Sequence, residues 1–252
     1  MIRVVLCGTG NVAHHLFNAF RKSGQVDIVQ VAGRDKNKLE FFGKYTRTTT
    51  DFRCLEKAEV YILAVSDDII ENLSSLINRG LMVHTSGSTS INKLPEAIRR
   101  GVFYPLQTFS AKMEVDFNEV PICLEAEHEE DYLLLEKLAT AISNRTERID
   151  SAKRFKLHTA AVFVNNFSNH LWHIGQELCA QESLSTDLLT PLIIETARKL
   201  EFLRPYEAQT GPARRKDVRT IQKQMEALEK RTHSAIYKEI TQSIQESYAK
   251  EL

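Results

Sequence analysis

Two glycines near the N-terminus have the spacing of a phosphate-binding turn. Residues 8–13 read GTGNVA and match the pattern GxGxx(G/A). In that pattern Gly8 permits a tight turn and Gly10 lets the backbone approach a pyrophosphate, while the small third residue allows a helix to pack closely on a strand. The amides of Asn11 and Val12, at the start of the predicted helix, would then face the phosphates. The alternative is a glycine turn that binds nothing.

A basic residue occupies the position that distinguishes the two nicotinamide nucleotides. Proteins that bind NAD place a carboxylate at the end of the second strand, where it binds the ribose 2′-hydroxyl. This chain has Arg34 there, with Lys36 and Lys38 close behind, and arginine favours a 2′-phosphate. The neighbouring Asp35 could turn inward instead and accept the hydroxyl of NAD. We predict NADP in preference to NAD.

An uncharged polar stripe marks a predicted helix in the second half of the chain. If residues 151–181 form one α-helix, His158, Asn165 and Asn169 share a face opposite the apolar side chains. No charged residue lies between His158 and Gly175, although lysine and glutamate are more common on solvated faces and form helices better than asparagine. The stripe therefore faces a substrate or nicotinamide pocket, or it packs against another helix or a second subunit.

Four residues are predicted to act on a substrate. His158 is the predicted acid, because an imidazole can titrate near neutrality. Ser86, Asn165 and Asn166 are predicted to orient the substrate. Ser86 ends a predicted central strand, near the place where a nicotinamide ring would lie. A serine at a strand end is also an ordinary turn or cap residue, and an internal packing role for His158 is the other interpretation.

The first 150 residues alternate between strand and helix patterns. Apolar runs at 2–7, 26–32, 60–65 and 81–85 each end in small polar residues, as a buried parallel sheet with its ligand at the carboxyl ends requires. Further strands are predicted at 101–109, 119–125 and 146–149, with a helix over 128–143. From residue 151 onward the apolar period is 3.6 nearly everywhere. The pattern predicts an α/β Rossmann nucleotide-binding domain at 1–150 and an all-α domain at 151–252.

The composition excludes several classes of protein. A chain of 252 residues is long for one core, and 42% hydrophobic residues exclude disorder. Lysine and arginine total 33, as do aspartate and glutamate, so no net charge attracts nucleic acid or a membrane. No apolar stretch is long enough to span a bilayer, and no signal peptide is present, so we expect a cytoplasmic protein. The four scattered cysteines predict reduced thiols and no metal site.

Six motifs in order resemble a known family. They are GTGNVAxHL, AVSDD, HTSGS, YPLQTFS, HTAAVFVNNFSNHL and TGPARRKD. The chain resembles, over essentially its whole length, bacterial Rossmann-like proteins with a C-terminal helical domain of unknown function. That family is similar to the NADP oxidoreductases that include deazaflavin-dependent NADP reductase, pyrroline-5-carboxylate reductase and the β-hydroxyacid dehydrogenases. The resemblance implies NADP bound at Gly8, Thr9, Gly10, Asn11, Val12, Arg34, Ala64, Val65 and Ser66.

The resemblance also implies a helical domain that commonly dimerises, and the sequence has a stripe that needs a cover. A helix predicted over 214–250 carries large apolar residues at near-helical spacing, namely Ile221, Met225, Leu228, Ile236, Ile240 and Ile244. We therefore expect a homodimer built through the helical domain.

The predicted function is NADP-dependent hydride transfer to or from a small carbonyl or imine compound between the two domains. The alternative is a non-catalytic NADP-binding or redox-sensing protein that acts through a partner.

Overall fold

In the computed structural model, which describes residues 1–228 and 233–249, the chain forms two compact units. The first unit covers Met1–Asn165 and the second Asn166–Leu252. The first contains a large sheet with helices, and the described part of the second is helical. The predicted fold class, an α/β nucleotide-binding fold followed by helices, is confirmed. The predicted domain boundary at residue 150 stays a prediction, and helix 151–161 belongs to the first unit.

Eight strands form one sheet in the order β3-β2-β1-β4-β5-β6-β7-β8. All neighbours are parallel except β6 and β7, which are antiparallel. The order reverses between β1 and β4, and this is the switch point at which open α/β sheets bind ligands at the strands' carboxyl ends. The strands are β1 Ile2–Cys7, β2 Val26–Ala32, β3 Arg47–Thr49, β4 Val60–Leu63, β5 Leu81–His84, β6 Arg99–Pro105, β7 Ile122–Ala126 and β8 Thr146–Arg148.

The two edges of the sheet are its shortest strands. β3 and β8 have three residues each, and no side chain in either is fully buried. β3 contains Arg47, and β8 contains Glu147 and Arg148. The sequence pattern did not predict β3, because a run of one arginine and two threonines carries no apolar signal.

Five helices complete the first unit, and four of them bury apolar side chains against the sheet. One cluster unites alternate strand residues such as Val4 and Leu6 with Phe17 and Phe20 of α1. The residues between them, such as Val5, face a second cluster that includes Ile70 of α3. This alternation follows from the period of two along a strand. The helices are α1 Asn11–Ser23, α2 Lys36–Gly43, α3 Asp67–Ser74, α4 Glu129–Thr140 and α5 Ser151–Ala161.

The described part of the second unit contains five α-helices. They are α6 Ser168–Gln181, α7 Thr190–Arg198, α8 Pro205–Ala208, α9 Val218–Leu228 and α10 Ser234–Ser247. Tyr206 and Tyr248 stack with ring centroids 4.3 Å apart, and the Arg214 guanidinium lies 4.7 Å from the Tyr248 ring centroid. The single helix predicted over 214–250 was wrong, because a turn at 211–216 delays the start to Val218 and a second helix starts at Ser234. Residues 229–232 and 250 of that prediction lie outside the described residues.

The helix predicted over 151–181 is present over those residues, but it is not a regular α-helix throughout. A π-helical segment, Val162–Phe167, separates α5 from α6. Because its hydrogen bonds span five residues, the constant rotation per residue assumed for the polar stripe does not hold beyond it. Asn165 and Asn166 lie within this segment and are exposed, and so is Phe163 on the predicted apolar face. The clean separation of the two faces is therefore not present.

The membrane prediction has one structural test. None of the helices among the described residues combines the length and the apolar character that crossing a bilayer requires.

Candidate nucleotide-binding and catalytic site

Gly8 ends β1 in a conformation and a space that only glycine fits. Its φ is +135°, a value that other residues rarely adopt. A Cβ at this position would lie 2.0 Å from the carbonyl oxygen of Ala64. The first glycine of the motif is therefore required by the approach of the backbone that follows β4. It brings Ala64 beside the turn in which the resemblance implies a nucleotide site.

Nothing else in the chain requires a glycine at position 10. Its φ of −83° and ψ of −175° are open to any residue, and a Cβ there would meet nothing within 4 Å. Gly10 is the N-cap residue of α1, and no side chain caps that helix. The first amides of α1 therefore open on space beside Gly10. A phosphate group fits this arrangement, because helix N-termini bind anions and a glycine admits them closely.

Asp35 is committed to capping α2. Its carboxylate accepts hydrogen bonds from the amides of Asn37, at 2.9 Å, and Lys38, at 3.4 Å. Arg34 is exposed and has no hydrogen bond or ion pair with any described residue. The alternative in which Asp35 turns inward would cost this cap. The geometry leaves Arg34 as the group available to a ligand at the end of β2.

An open groove runs from the turn along α1. It encloses about 990 Å³, and Thr9, Gly10 and Asn11 line one part of it. Two side chains of α1 also hold the chain that follows β6. The Asn11 amide donates to the Phe109 carbonyl at 3.0 Å, and Nε2 of His15 lies 2.9 Å from the Ser110 carbonyl oxygen.

The turn after β5 is organised around Ser86. The Ser86 hydroxyl oxygen accepts hydrogen bonds from the amides of Ser88, at 3.1 Å, and Thr89, at 2.9 Å. The Ser88 hydroxyl donates to the Asp67 carboxylate at the start of α3. Ser86 is buried, so the ordinary turn role is realised. Its predicted role toward a substrate stays a prediction.

His84, the last residue of β5, is fully buried. Its Nδ1 accepts a hydrogen bond from the Ser86 amide at 3.2 Å. Burial lowers the pKa of His84 to about 4, and the nearby Arg154 cation contributes to the same shift. This imidazole is therefore neutral at neutral pH and helps to shape the turn.

His158 lies against this same turn. An added Cβ at Gly87 would be 2.5 Å from Nδ1 of His158 and 2.8 Å from Cζ of Tyr104. The Tyr104 hydroxyl is 2.9 Å from Nδ1 of His158, and the two rings meet at 76° with centroids 5.8 Å apart. Gly87 is thus the surface on which both rings rest. His158 is only partly buried, and its Nε2 has no hydrogen-bond partner among the described residues.

A buried ion pair fixes the helix that carries His158. The Arg154 guanidinium, one turn earlier on α5, contacts the Glu125 carboxylate of β7 and donates to the Thr89 carbonyl at 2.5 Å. The side chains of Arg154 and Glu125 are 1% and 15% exposed, respectively. Ser151, at the start of α5, donates its hydroxyl to the same carboxylate at 2.8 Å. These contacts join α5 to the sheet and to the turn after β5.

The structure brings together some of the predicted site residues. Gly8 and Ala64 meet at the switch point, and Thr9, Gly10, Asn11 and Val12 form the turn and the first residues of α1. Val65 and Ser66 lead from β4 into α3, and Ser66 is its N-cap residue. His158 joins the turn that contains Ser86. The exposed Asn165 and Asn166 make no hydrogen bond to one another or to any other described residue, and their predicted roles stay predictions.

Sequence reasoning missed Tyr104, Glu125 and Arg154 as parts of the site. Tyr104 and His158 are separated by 54 residues, so no local spacing joins them. One signal for Arg154 was available. Arg154 lies one helical turn before the candidate His158, so both side chains face the same polar edge of the sheet. An arginine at this spacing can pair with a carboxylate of the sheet and hold the helix in place. The four cysteines are unpaired, and no group of three metal-ligating side chains occurs among residues 1–228 and 233–249.

Family models match both parts of the chain. Residues 3–85 match the model described as NADP oxidoreductase, coenzyme F420-dependent. Residues 120–244 match a domain of unknown function, DUF2520. The resemblance inferred from the six motifs is therefore confirmed. No curated protein matches the chain.

Solved structures resemble the chain over its length. The "putative NADP oxidoreductase BF3122 from Bacteroides fragilis" is 38% identical, with a TM-score of 0.91, over 97% of this chain and 98% of that one. Protein TM1727 from Thermotoga maritima is 21% identical, with a TM-score of 0.75, over 98% and 99%. Pyrroline carboxylate reductase from Plasmodium falciparum with NADP bound is 11% identical, with a TM-score of 0.60, over 98% and 97%. The last two similarities concern the fold alone.

Proposed function

Since the chain matches an NADP oxidoreductase model and a DUF2520 model, and belongs to the same family as the Bacteroides fragilis relative that is 38% identical to it, we propose that it is an NADP-dependent oxidoreductase. Its substrate is a small carbonyl or imine compound. One observation carries the proposal. The uncapped N-terminus of α1 opens beside Gly10, where a Cβ would meet nothing, and a partly buried imidazole lies at the carboxyl edge of the same sheet.

The nucleotide would be held by the turn Gly8–Asn11, with its phosphates on the first amides of α1. Arg34 supports NADP over NAD, because a guanidinium can pair bidentately with a 2′-phosphate. The capping role of Asp35 adds to that support, since a carboxylate already accepting two amides is a poor partner for a ribose hydroxyl. The four unpaired cysteines fit a reducing compartment, and we place the reaction in the cytoplasm.

When bound, the nicotinamide supplies or accepts the hydride. His158 holds the proton that the substrate oxygen or nitrogen takes up as it is reduced. The turn containing Ser86 and Gly87 excludes water from one side of the imidazole. Asn165 and Asn166 orient the substrate through their amides.

The proposal predicts that Gly10 is needed for nucleotide binding but not for the stability of the fold. In Gly10→Ala, a methyl group enters the space proposed for a phosphate, so we expect at least about tenfold weaker binding of both NADPH and NADH. The melting temperature should change little, because an N-cap alanine in place of glycine costs less than about 1 kcal/mol. Calorimetric titration with each nucleotide measures the affinities.

The same titration tests the preference for NADP. Loss of an arginine–phosphate contact costs roughly 1.5–3 kcal/mol, so Arg34→Ala should reduce the ratio of NADPH to NADH affinity about tenfold or more. Arg53→Ala, at another exposed arginine, is the control and should leave the ratio unchanged. Equal affinities in the wild type, or an unaltered ratio in Arg34→Ala, would contradict the preference. Wild-type nucleotide affinity in Gly10→Ala would contradict the proposed nucleotide site.

We also propose that two copies associate through the second unit. Among its described residues only Ile174, Ala213 and Tyr248 are buried hydrophobics, too few for an independent core. Thirteen large hydrophobic side chains there are exposed and offer on the order of 1,000 Å² of apolar surface, comparable with a standard interface. They are Phe167, Leu171, Trp172, Leu184, Leu188, Leu192, Ile194, Leu200, Phe202, Leu203, Tyr206, Val218 and Ile240.

Helix α7 supports the proposal that a second copy is the cover. Leu192 and Ile194 are 63% and 61% exposed, and at about 100° per residue they point to nearly opposite sides of the helix. A helix apolar on both sides needs neighbours on both. The zero net charge of the chain places no repulsion between two copies.

Light scattering should therefore give twice the 28.8 kDa of one chain. The variant Leu192→Lys/Ile194→Lys should be monomeric or aggregated, because two charges cannot be buried in an apolar interface without partners. Met113→Lys, which changes an exposed methionine of the first unit, should remain dimeric. A monomeric wild type at micromolar concentration would overturn this proposal.

A further inference from the structure

Tyr104 is the one described side chain that bonds to the imidazole of His158. Its hydroxyl lies 2.9 Å from Nδ1, within hydrogen-bond distance. Tyr104 belongs to β6 and is 8% exposed, packed with Val102 and Cys123 in the small core under α5. A tyrosine held on a strand is a rigid partner, because neighbouring side chains restrict its rotamers.

The donor and acceptor roles in this bond follow from the surroundings of the phenol. Burial raises the pKa of Tyr104 to about 12, so the phenol keeps its proton at neutral pH. That proton needs an acceptor, since an unpaired buried donor costs free energy. Among the described residues, Nδ1 of His158 is the acceptor within reach of the hydroxyl. In the neutral imidazole Nδ1 therefore accepts, and the ring proton is on Nε2.

We propose that Tyr104 is a positioning residue that commits Nδ1 of His158 to the phenol and leaves Nε2 as the nitrogen that meets the substrate. This inference rests on the proposed function for its role in catalysis. Three supports hold the ring in place. The phenol binds Nδ1, the backbone of Gly87 lies against the ring, and the Arg154–Glu125 pair fixes the helix one turn away.

The Tyr104 hydroxyl stays hydrogen-bonded to Nδ1 of His158 throughout proton transfer. When the ring carries two protons, the Nδ1 proton faces the phenol oxygen, which accepts it, and the Nε2 proton faces outward. In reduction of a carbonyl, the hydride from NADPH forms the new carbon–hydrogen bond, and the Nε2 proton passes to the oxygen. The nicotinamide is oxidised, the carbonyl is reduced, and the imidazole is left neutral with its one proton on Nδ1, facing the phenol oxygen, until water returns a proton to Nε2. Tyr104 itself exchanges no proton with the substrate.

The variant Tyr104→Phe removes the hydroxyl alone. Nitrogen-15 NMR of His158 reports its effect without any substrate, because the chemical shift of an unprotonated ring nitrogen responds to an accepted hydrogen bond. We expect the wild type at neutral-to-basic pH to show a hydrogen-bonded, unprotonated Nδ1 and a protonated Nε2. In Tyr104→Phe the Nδ1 resonance should shift toward that of a nitrogen without a donor. Assignment uses the resonance that His158→Asn eliminates.

Turnover provides the second measurement, with NADPH and whichever ketoacid, aldehyde or cyclic imine the enzyme reduces. Tyr104→Phe should lower kcat roughly tenfold or more, with the affinity for NADPH unchanged. In the His158→Asn background, Tyr104→Phe should cause no further loss, because residues that act as one unit are non-additive. Tyr132→Phe is the control. Tyr132 is also 8% exposed, and its hydroxyl bonds to Glu136 on α4 instead.

The outcomes separate this inference from the proposed function. If no compound is reduced but the Nδ1 signal shifts in Tyr104→Phe, the proposed activity fails and the positioning of His158 stands. An Nδ1 signal identical in wild type and Tyr104→Phe overturns the inference, whatever the activity. Losses in kcat that multiply in the double variant also overturn it, because Tyr104 would then act independently of His158.

Discussion

His158→Asn should reduce turnover about 10²- to 10⁴-fold while leaving the affinity for NADPH unchanged. The reason is that a proton donor acts in the transition state, whereas the proposed nucleotide site is the turn after β1. The structure supports the position of the donor. His158 is partly buried, rests on Gly87 and has Nε2 without a partner among the described residues. The measurement is NADPH oxidation with a panel of ketoacids, aldehydes and cyclic imines.

The comparison requires equal concentrations of folded protein. His128→Asn, at an exposed histidine that precedes α4, is the control and should have wild-type activity. If His158 only packs, His158→Asn would melt at a lower temperature but retain its turnover once folded. If the wild type binds NADPH and oxidises it with no compound on the panel, the catalytic role loses its support. A nucleotide-binding protein that reports to a partner then becomes the better interpretation.

Glu125→Gln should destabilise the first unit by about 3 kcal/mol or more. Removing one partner of a buried ion pair leaves the other charge uncompensated, and such losses are about 3–5 kcal/mol. Arg154, whose side chain is 1% exposed, would be the uncompensated charge. For a chain of this size each kcal/mol lowers the melting temperature by about 2–4 °C. We therefore expect a decrease of about 6 °C or more by calorimetry.

An exposed pair of the same type provides the control for Glu125→Gln. Arg148 and Glu129 form two hydrogen bonds, at 3.1 and 2.7 Å, with side chains 56% and 62% exposed. Glu129→Gln should change the melting temperature little, because solvent screens such a pair. The double variant Glu125→Leu/Arg154→Met should recover most of the lost stability, since an apolar pair leaves no charge buried. Equal effects of Glu125→Gln and Glu129→Gln would contradict the importance of burial.

The sequence was sufficient to predict the sheet and the glycine turn after β1, because both leave local signals. Strands β1, β2, β4 and β5 consist largely of apolar residues on both faces. This pattern is typical of a sheet that is covered on both sides. The glycines of the turn fall directly after the first of them. The predicted ends of the later strands were less accurate. The segment expected at 101–109 is β6 Arg99–Pro105, because Pro105 ends the ladder.

The parts that the sequence could not predict depend on contacts between distant residues. The π-helical segment Val162–Phe167 contains ordinary helix-compatible residues, so nothing in its composition indicates wider hydrogen bonds. The bond from Tyr104 to His158 and the pair of Arg154 with Glu125 each join separate elements. Periodicity describes how one element faces its surroundings. It does not identify which polar side chains of two elements will meet.

The short strands at the two ends of the sheet protect it from unwanted extension. An edge strand has free amide and carbonyl groups that can pair with another chain, and long apolar edges promote aggregation. Here β3 and β8 offer only three residues each, and charged side chains such as Arg47 and Glu147 lie on them. Adding a strand from a neighbouring molecule would gain few hydrogen bonds and would confine these charges. Neither edge of the eight-stranded sheet therefore offers a neighbouring chain a long apolar strand with which to pair.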